Sequence, residues 1–135
     1  MITLERFIKM LKLNQRNKAI LFSVIFLLTI SIARISAFIK PSGVSIFGLR
    51  MHHFEYGIII LILISFIRIF KKINAKTLLV ISGIAAGLII DELFFVVLGV
   101  KNVQQYYSTL LPTTILALII TIIILAINTK DTKRK

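Results

Sequence analysis

The sequence predicts an all-α integral membrane protein, a four-helix bundle with an N-terminal amphipathic helix that lies in the membrane interface. Hydrophobic residues make up 58% of the 135 residues, and the mean hydropathy is +0.98. They are concentrated in four stretches that each approach the ~20 residues with which a helix crosses a ~30 Å hydrocarbon layer. A soluble domain of this size could not bury so much apolar surface. We therefore predict one transmembrane domain over residues 1–135, with spans at about 19–39, 51–70, 77–100 and 109–127.

Residues 1–17 form the predicted interfacial helix. Its apolar residues recur with the i, i+3, i+4, i+7 spacing of one helix face, and they are Leu4, Phe7, Ile8 and Leu11. Basic residues occupy the opposite face, so the helix should lie flat on the membrane and contact anionic lipid headgroups. We expect the polar run at 14–17 to separate this helix from the first span.

The connections between the spans are short. Residues 40–43 read as a turn, and the connection near 71–76 makes the second and third spans antiparallel neighbours. The third connection, at 101–108, is predicted to form an interfacial lid in which Tyr106 and Tyr107 are membrane anchors, with a role for one of them in lining the site as the alternative. Such an arrangement leaves no room for a domain outside the membrane.

Basic residues are distributed unevenly between the two sides of the predicted membrane. Of the seventeen Lys and Arg residues, thirteen lie at the N-terminus, around the second connection or in the polar tail that begins at 128. The opposite side carries only Lys40, Arg50 and Lys101. Because basic loops remain in the cytoplasm, we predict a multi-pass protein of the cell membrane with both termini cytoplasmic. The net charge of +12 is thereby explained without a nucleic-acid partner.

Several classes of chemistry are excluded by composition. The chain has no cysteine, which removes disulfides, thiolate ligands and cysteine nucleophiles. It shows no glycine-rich phosphate loop, no serine nucleophile motif and no haem, flavin or nucleotide signature. Candidate chemistry is therefore confined to ionisable residues inside the spans, where they are rare and costly.

Ionisable residues of three spans are predicted to meet in the outer leaflet. Two imidazoles and several carboxylates without thiolate suit Zn²⁺, Mn²⁺ or Fe²⁺. The predicted ligands of a divalent metal are His52, His53, Glu55, Asp91 and Glu92. Asp91 and Glu92, about 12 Å below the outer end of the third span at 1.5 Å per residue, are also the candidate catalytic residues.

Three further residues are assigned to substrate binding or to counter-ions: Arg34, Arg50 and Tyr56. The alternative is that all these ionisable residues only form ion pairs with one another inside the protein. In that case the two arginines neutralise the acidic residues, and the histidines merely lie at the depth of the headgroups. A carboxylate at mid-membrane costs about 2.5–3.5 kcal/mol, which favours a functional role for the acidic pair.

Glycines at a spacing of four residues predict close helix packing. Gly83 and Gly87 precede Asp91 on one face of the third span, and Gly57 follows His53 on the second. Small residues at this spacing let two backbones approach closely. We predict that the Gly83 and Gly87 face contacts the face of the second span that carries Gly57, with Asp91 close to His53.

The segments at 50–57 and 83–92 resemble a group of small bacterial and archaeal membrane proteins of unknown function. That group has His-His-x-x-x-Gly at the start of one helix and a glycine-rich helix that ends in Leu-x-x-Asp-Glu. The matching positions here are His52, His53, Gly57, Gly87, Asp91 and Glu92. The group usually has tryptophan soon after Asp-Glu, whereas this chain has Phe94 and Phe95. The resemblance covers less than half of the chain. It implies that these residues form a functional site, but it does not indicate which reaction the site performs.

Three functions remain open at the level of sequence. The first is a metal-dependent enzyme that acts on a lipid or a lipid-linked molecule. The second is a subunit of an oligomeric ion or proton transporter or channel, although the inner halves of the spans read as uniformly apolar, which argues against a monomeric carrier. The third is a structural or accessory protein with internal ion pairs. The expected partners are the bilayer, anionic headgroups and, for the transporter, further copies of the chain.

Overall fold

The computed structural model describes residues 14–39, 45–46, 49–50, 52–99 and 103–130. The long helices are α1 (Gln15–Ile39), α2 (His53–Phe70), α3 (Ala75–Val97) and α5 (Leu110–Lys130), and α4 (Val103–Ser108) is short. Between α1 and α2, β1 (Ser45–Ile46) and β2 (Leu49–Arg50) pair antiparallel. Most of the predicted interfacial helix at 1–17 and most of the tail at 128–135 lie outside the described residues.

The predicted all-α, multi-pass membrane fold is confirmed. Helices α1, α2 and α3 and residues Leu110–Asn128 of α5 are each long and apolar enough to cross a membrane. Their outward side chains are overwhelmingly large and apolar, as in Ile62 and Phe66 of α2. Because such surfaces are stable only in hydrocarbon, lipid is the solvent of this bundle.

Polar side chains define where the helices begin. Asn14 Oδ1 accepts a hydrogen bond from the Asn17 backbone N–H at 2.8 Å, so residues 15–17 form the first turn of α1. The predicted separation from an interfacial helix stays a prediction, because residues 1–13 lie outside the described structure; what the structure adds is that the Asn14 side chain caps the start of α1 and that residues 15–17 belong to this helix. Asn74 caps α3 in the same way through the Lys76 N–H at 3.0 Å.

Helix α3 lies at the centre of the bundle. It packs against α1 on one side and α2 on the other, and α5 packs across α1 and α3. Side chains from three helices fill the interior, with Phe26 and Ile30 of α1, Ala117 of α5, and Ala86 and Ile90 of α3. We call the end at which α1 and α3 finish and α2 and α5 begin the site end.

The predicted contact between the glycine faces of the second and third spans is wrong. A Cβ built on Gly87 would lie 2.9 Å from the Phe26 carbonyl oxygen of α1, whereas one built on Gly57 would lie 2.7 Å from the Ala85 carbonyl oxygen of α3. Gly83 likewise faces α1, where Ile25 is its nearest neighbour. Because α3 packs on both sides, its glycines approach α1 and leave a separate face for α2.

Candidate functional site

Asp91 is the buried centre of the site. Its side chain has no solvent exposure (0%). Oδ1 accepts from Arg34 Nε, and Oδ2 accepts from Tyr106 Oη at 2.9 Å. Both carboxylate oxygens are therefore occupied by the protein's own donors. This arrangement makes Asp91 an internal anion and leaves it poorly placed to serve as a metal ligand.

Arg34 joins α1 to the three helices that follow α2. Besides Nε, its Nη1 donates to the Tyr106 carbonyl oxygen at 3.2 Å and to Thr109 Oγ1 at 3.1 Å. Its Nη2 donates to the Asp91 carbonyl oxygen and to Thr113 Oγ1 at 3.0 Å. A guanidinium has five N–H donors, and all five are used here. Arg34 is thus the counter-ion of Asp91 and has no donor left for a substrate anion.

Tyr106 is buried, with 6% exposure, so the expectation that it anchors the chain at the interface is wrong. Its ring lies 4.2 Å from Arg34 Cζ and meets the Phe95 ring edge-on at 5.9 Å. Burial raises the pKa of the Tyr106 phenol far above its ordinary value, and the Asp91 carboxylate raises this pKa further. The hydroxyl therefore remains a proton donor to Asp91.

Two threonines, Thr109 directly before α5 and Thr113 in the first turn of α5, complete this part of the site, and we did not predict their role. They are four residues apart at the start of the fourth span, and both are buried against Arg34. Their spacing is a signal that the sequence carries, since polar residues on one helix face inside a membrane commonly bond to a neighbouring helix. Tyr106 lies three residues before Thr109 and belongs to the same face. Tyr107, by contrast, is exposed.

Glu92 connects α3 to the start of α2. Its Oε2 accepts a hydrogen bond from the Phe54 backbone N–H at 2.9 Å, in the first turn of α2. Its Oε1 lies 3.8 Å from Nδ1 of His52 and 3.8 Å from Nδ1 of His53. A carboxylate is favourable at a helix N-terminus, where unpaired N–H groups carry partial positive charge. Glu92 thereby attaches the first turn of α2 to α3 and lies beside both imidazoles.

The two histidines form the exposed part of the site. His53 Nδ1 is 3.5 Å from Asp91 Oδ2, as the sequence predicted for these two residues. This nitrogen is buried and has no hydrogen-bond partner among the described residues. The side chains of His52 and His53 are 45% and 34% exposed, so the imidazoles are open to the surroundings at the site end.

The other predicted site residues are Glu55, Tyr56 and Arg50. Glu55 Oε2 accepts from the His52 backbone N–H at 2.9 Å, which turns its side chain back onto its own helix. Tyr56 Oη is buried without a hydrogen-bond partner in the described part of the chain. Arg50 lies in β2, and its side chain is outside the described structure. No three His, Asp or Glu side chains of the described residues are arranged to hold a metal ion together.

The predicted set of five ligands is therefore not assembled as one cluster in the residues that the structure describes. The carboxylates of Asp91 and Glu92 are engaged by donors from other helices, while both imidazoles lie on the accessible side. Comparisons of the chain with protein-family models, curated proteins and solved structures found no match.

Proposed function

We propose that this protein is a metal-dependent enzyme of the cell membrane, whose site in the outer leaflet acts on a lipid or a lipid-linked molecule. One observation carries the proposal. Both imidazoles turn Nδ1 towards a buried carboxylate, at 3.5 Å for His53 and Asp91 and at 3.8 Å for His52 and Glu92. Ligating histidines commonly donate their second ring N–H to a carboxylate, which orients the ring and raises its basicity.

This geometry assigns new roles to the predicted residues. His52 and His53 would bind the metal through Nε2, the ring nitrogen opposite the one that faces the acids. Asp91 and Glu92 would orient the imidazoles instead of ligating the metal. Imidazole donors suit Zn²⁺, Mn²⁺ and Fe²⁺. Such an ion, when bound, supplies a Lewis acid and an activated water molecule.

The position of the imidazoles supports a substrate from the membrane interface. Both residues lie at the first turn of α2, where that helix begins its passage through the bilayer. A molecule arriving at headgroup depth meets His52 and His53 first, since Asp91 and Glu92 are buried behind them. A hydrolytic or transfer reaction on a lipid-linked group is the chemistry that this access favours.

The proposal predicts that the purified protein binds about one Zn²⁺ and that either H52A or H53A removes it. E92Q should weaken Zn²⁺ binding by about 10- to 100-fold, the usual effect of losing a carboxylate that orients a ligand. E55Q is the matched control, because Glu55 is an exposed carboxylate that bonds only to its own helix turn among the described residues. Metal analysis and zinc titration in detergent measure these effects.

Two results would contradict the proposal. Wild-type protein that takes up none of Zn²⁺, Mn²⁺ and Fe²⁺ would exclude the metal site. Activity is tested by incubating zinc-loaded protein with vesicles of membrane lipids and analysing the extracted lipids by mass spectrometry. An enzyme should form a product that is seen with the wild type and is missing with H53A. If the two proteins give the same lipids, the proposed enzymatic activity is excluded for the lipids tested.

A second candidate is proton-linked transport, and buried hydroxyls favour it. Thr121 of α5 and Ser23 of α1 are buried in the half of the bundle away from the site end, and neither hydroxyl has a partner among the described residues. The expectation of a uniformly apolar inner half is therefore wrong. However, Phe26 and Ala117 form an apolar layer between these hydroxyls and the Arg34 network, so no continuous polar path is formed among the described residues.

The transport candidate has its own test in reconstituted vesicles that enclose a pH-sensitive dye. T121V should slow proton flux if the buried hydroxyl is part of a path. T114V is the matched control, because Thr114 is an exposed threonine of the same helix that bonds to its own backbone. Flux equal to that of protein-free vesicles would exclude this function.

A further inference from the structure

We propose that Tyr106 is a positioning residue that weakens metal binding at the imidazoles by occupying the Asp91 oxygen that His53 approaches. This inference rests on the proposed metal site. It assigns a regulatory role to α4, the short helix that carries Tyr106.

The evidence is the sharing of a single carboxylate oxygen. Asp91 Oδ2 accepts a full hydrogen bond from Tyr106 at 2.9 Å, while His53 Nδ1 remains 3.5 Å away. The other oxygen is taken by Arg34. His53 Nδ1 is buried and has no hydrogen-bond partner among the described residues, although it faces this carboxylate. Tyr106 is therefore the nearer of two donors that face the same oxygen, and His53 is held short of hydrogen-bond distance.

The physical consequence follows from charge. A hydrogen bond from a phenol draws electron density from the carboxylate oxygen and makes it a weaker acceptor for a second donor. A metal ion on Nε2 of His53 makes the Nδ1–H group a stronger donor, so binding pulls Nδ1 towards Asp91. Metal binding and the Tyr106 bond therefore oppose each other. By thermodynamic linkage, a metal bound at His53 must weaken the Tyr106–Asp91 hydrogen bond by the same free energy by which that hydrogen bond weakens metal binding.

The test is the affinity of Y106F for Zn²⁺. Removal of the hydroxyl should tighten binding by about three- to tenfold, less than the 10- to 100-fold effect of losing a carboxylate partner outright. A purely structural role predicts the opposite sign, because a loosened site binds metal more weakly. Y107F is the matched control, since Tyr107 is the adjacent tyrosine and is exposed. In a D91N background, Y106F should have no effect on zinc affinity.

A second measurement uses the wild type alone. Amide hydrogen exchange over α4 should become faster when Zn²⁺ is added, because Tyr106 is released from Asp91. If Y106F binds zinc no more tightly than the wild type, or if zinc leaves exchange in α4 unchanged or slower, the inference is wrong and the metal site stands. Wild-type protein that binds none of Zn²⁺, Mn²⁺ and Fe²⁺ removes the proposed function and this inference with it.

Discussion

Replacement of Arg34 by alanine is expected to destabilise the bundle severely. The change deletes five hydrogen bonds that connect α1 to α3, α4 and α5, and it leaves the fully buried Asp91 carboxylate without a cation. Removing one partner of a buried ion pair costs about 3–5 kcal/mol. Since whole domains are stable by only about 5–15 kcal/mol, a loss of this size is severe.

Thermal unfolding in detergent, followed by circular dichroism, measures this effect. R16A is the matched control, because Arg16 is an exposed arginine of the same helix. The double variant R34L/D91L should recover much of the loss, since well-packed apolar side chains can replace a buried ion pair without penalty. An R34A protein that melts within a few degrees of the wild type would show that the network contributes little.

Replacement of Gly57 by alanine is expected to separate α2 from the bundle. The added methyl group would lie 2.7 Å from the Ala85 carbonyl oxygen, and neither backbone can yield without moving its helix. Because α2 packs mainly against α3, this variant should also displace His52 and His53 from the acids of α3. Overpacking of this kind costs about 1–3 kcal/mol or more. Both the melting temperature and zinc uptake should fall.

The three packing glycines should differ in a defined order. G87A places a methyl group 2.9 Å from the Phe26 carbonyl oxygen and should be nearly as damaging as G57A. G83A meets Ile25 Cγ2 at 3.0 Å and the Phe22 carbonyl oxygen at 3.3 Å, longer contacts that a shift of a few tenths of an ångström relieves. G83A should therefore be the mildest of the three and should keep zinc uptake. Equal damage from all three variants would contradict these helix contacts.

The identities of the spans were readable from the sequence for a simple reason. In hydrocarbon every backbone N–H and C=O group must form a hydrogen bond within the protein. A single long apolar stretch achieves this by folding into a helix. His53 and Asp91 could be placed at one end of neighbouring helices on similar grounds, because antiparallel spans joined by a short turn bring those positions to the same depth. The depth of a residue in the membrane follows from its distance along the chain from the end of its span.

Rotation of each helix about its own axis was decided by tertiary structure. Spans that are apolar all round show little preference for one face, so the sequence did not reveal that Gly87 meets α1 while Gly57 meets α3. It also did not reveal that Tyr106 turns inward to Asp91 while Tyr107 stays exposed. Which donors reach a buried carboxylate depends on how all the helices pack together, since Arg34, Tyr106 and Asp91 come from three separate helices. Hydrophobicity along one chain determines the depth of a residue, and only packing determines its partner.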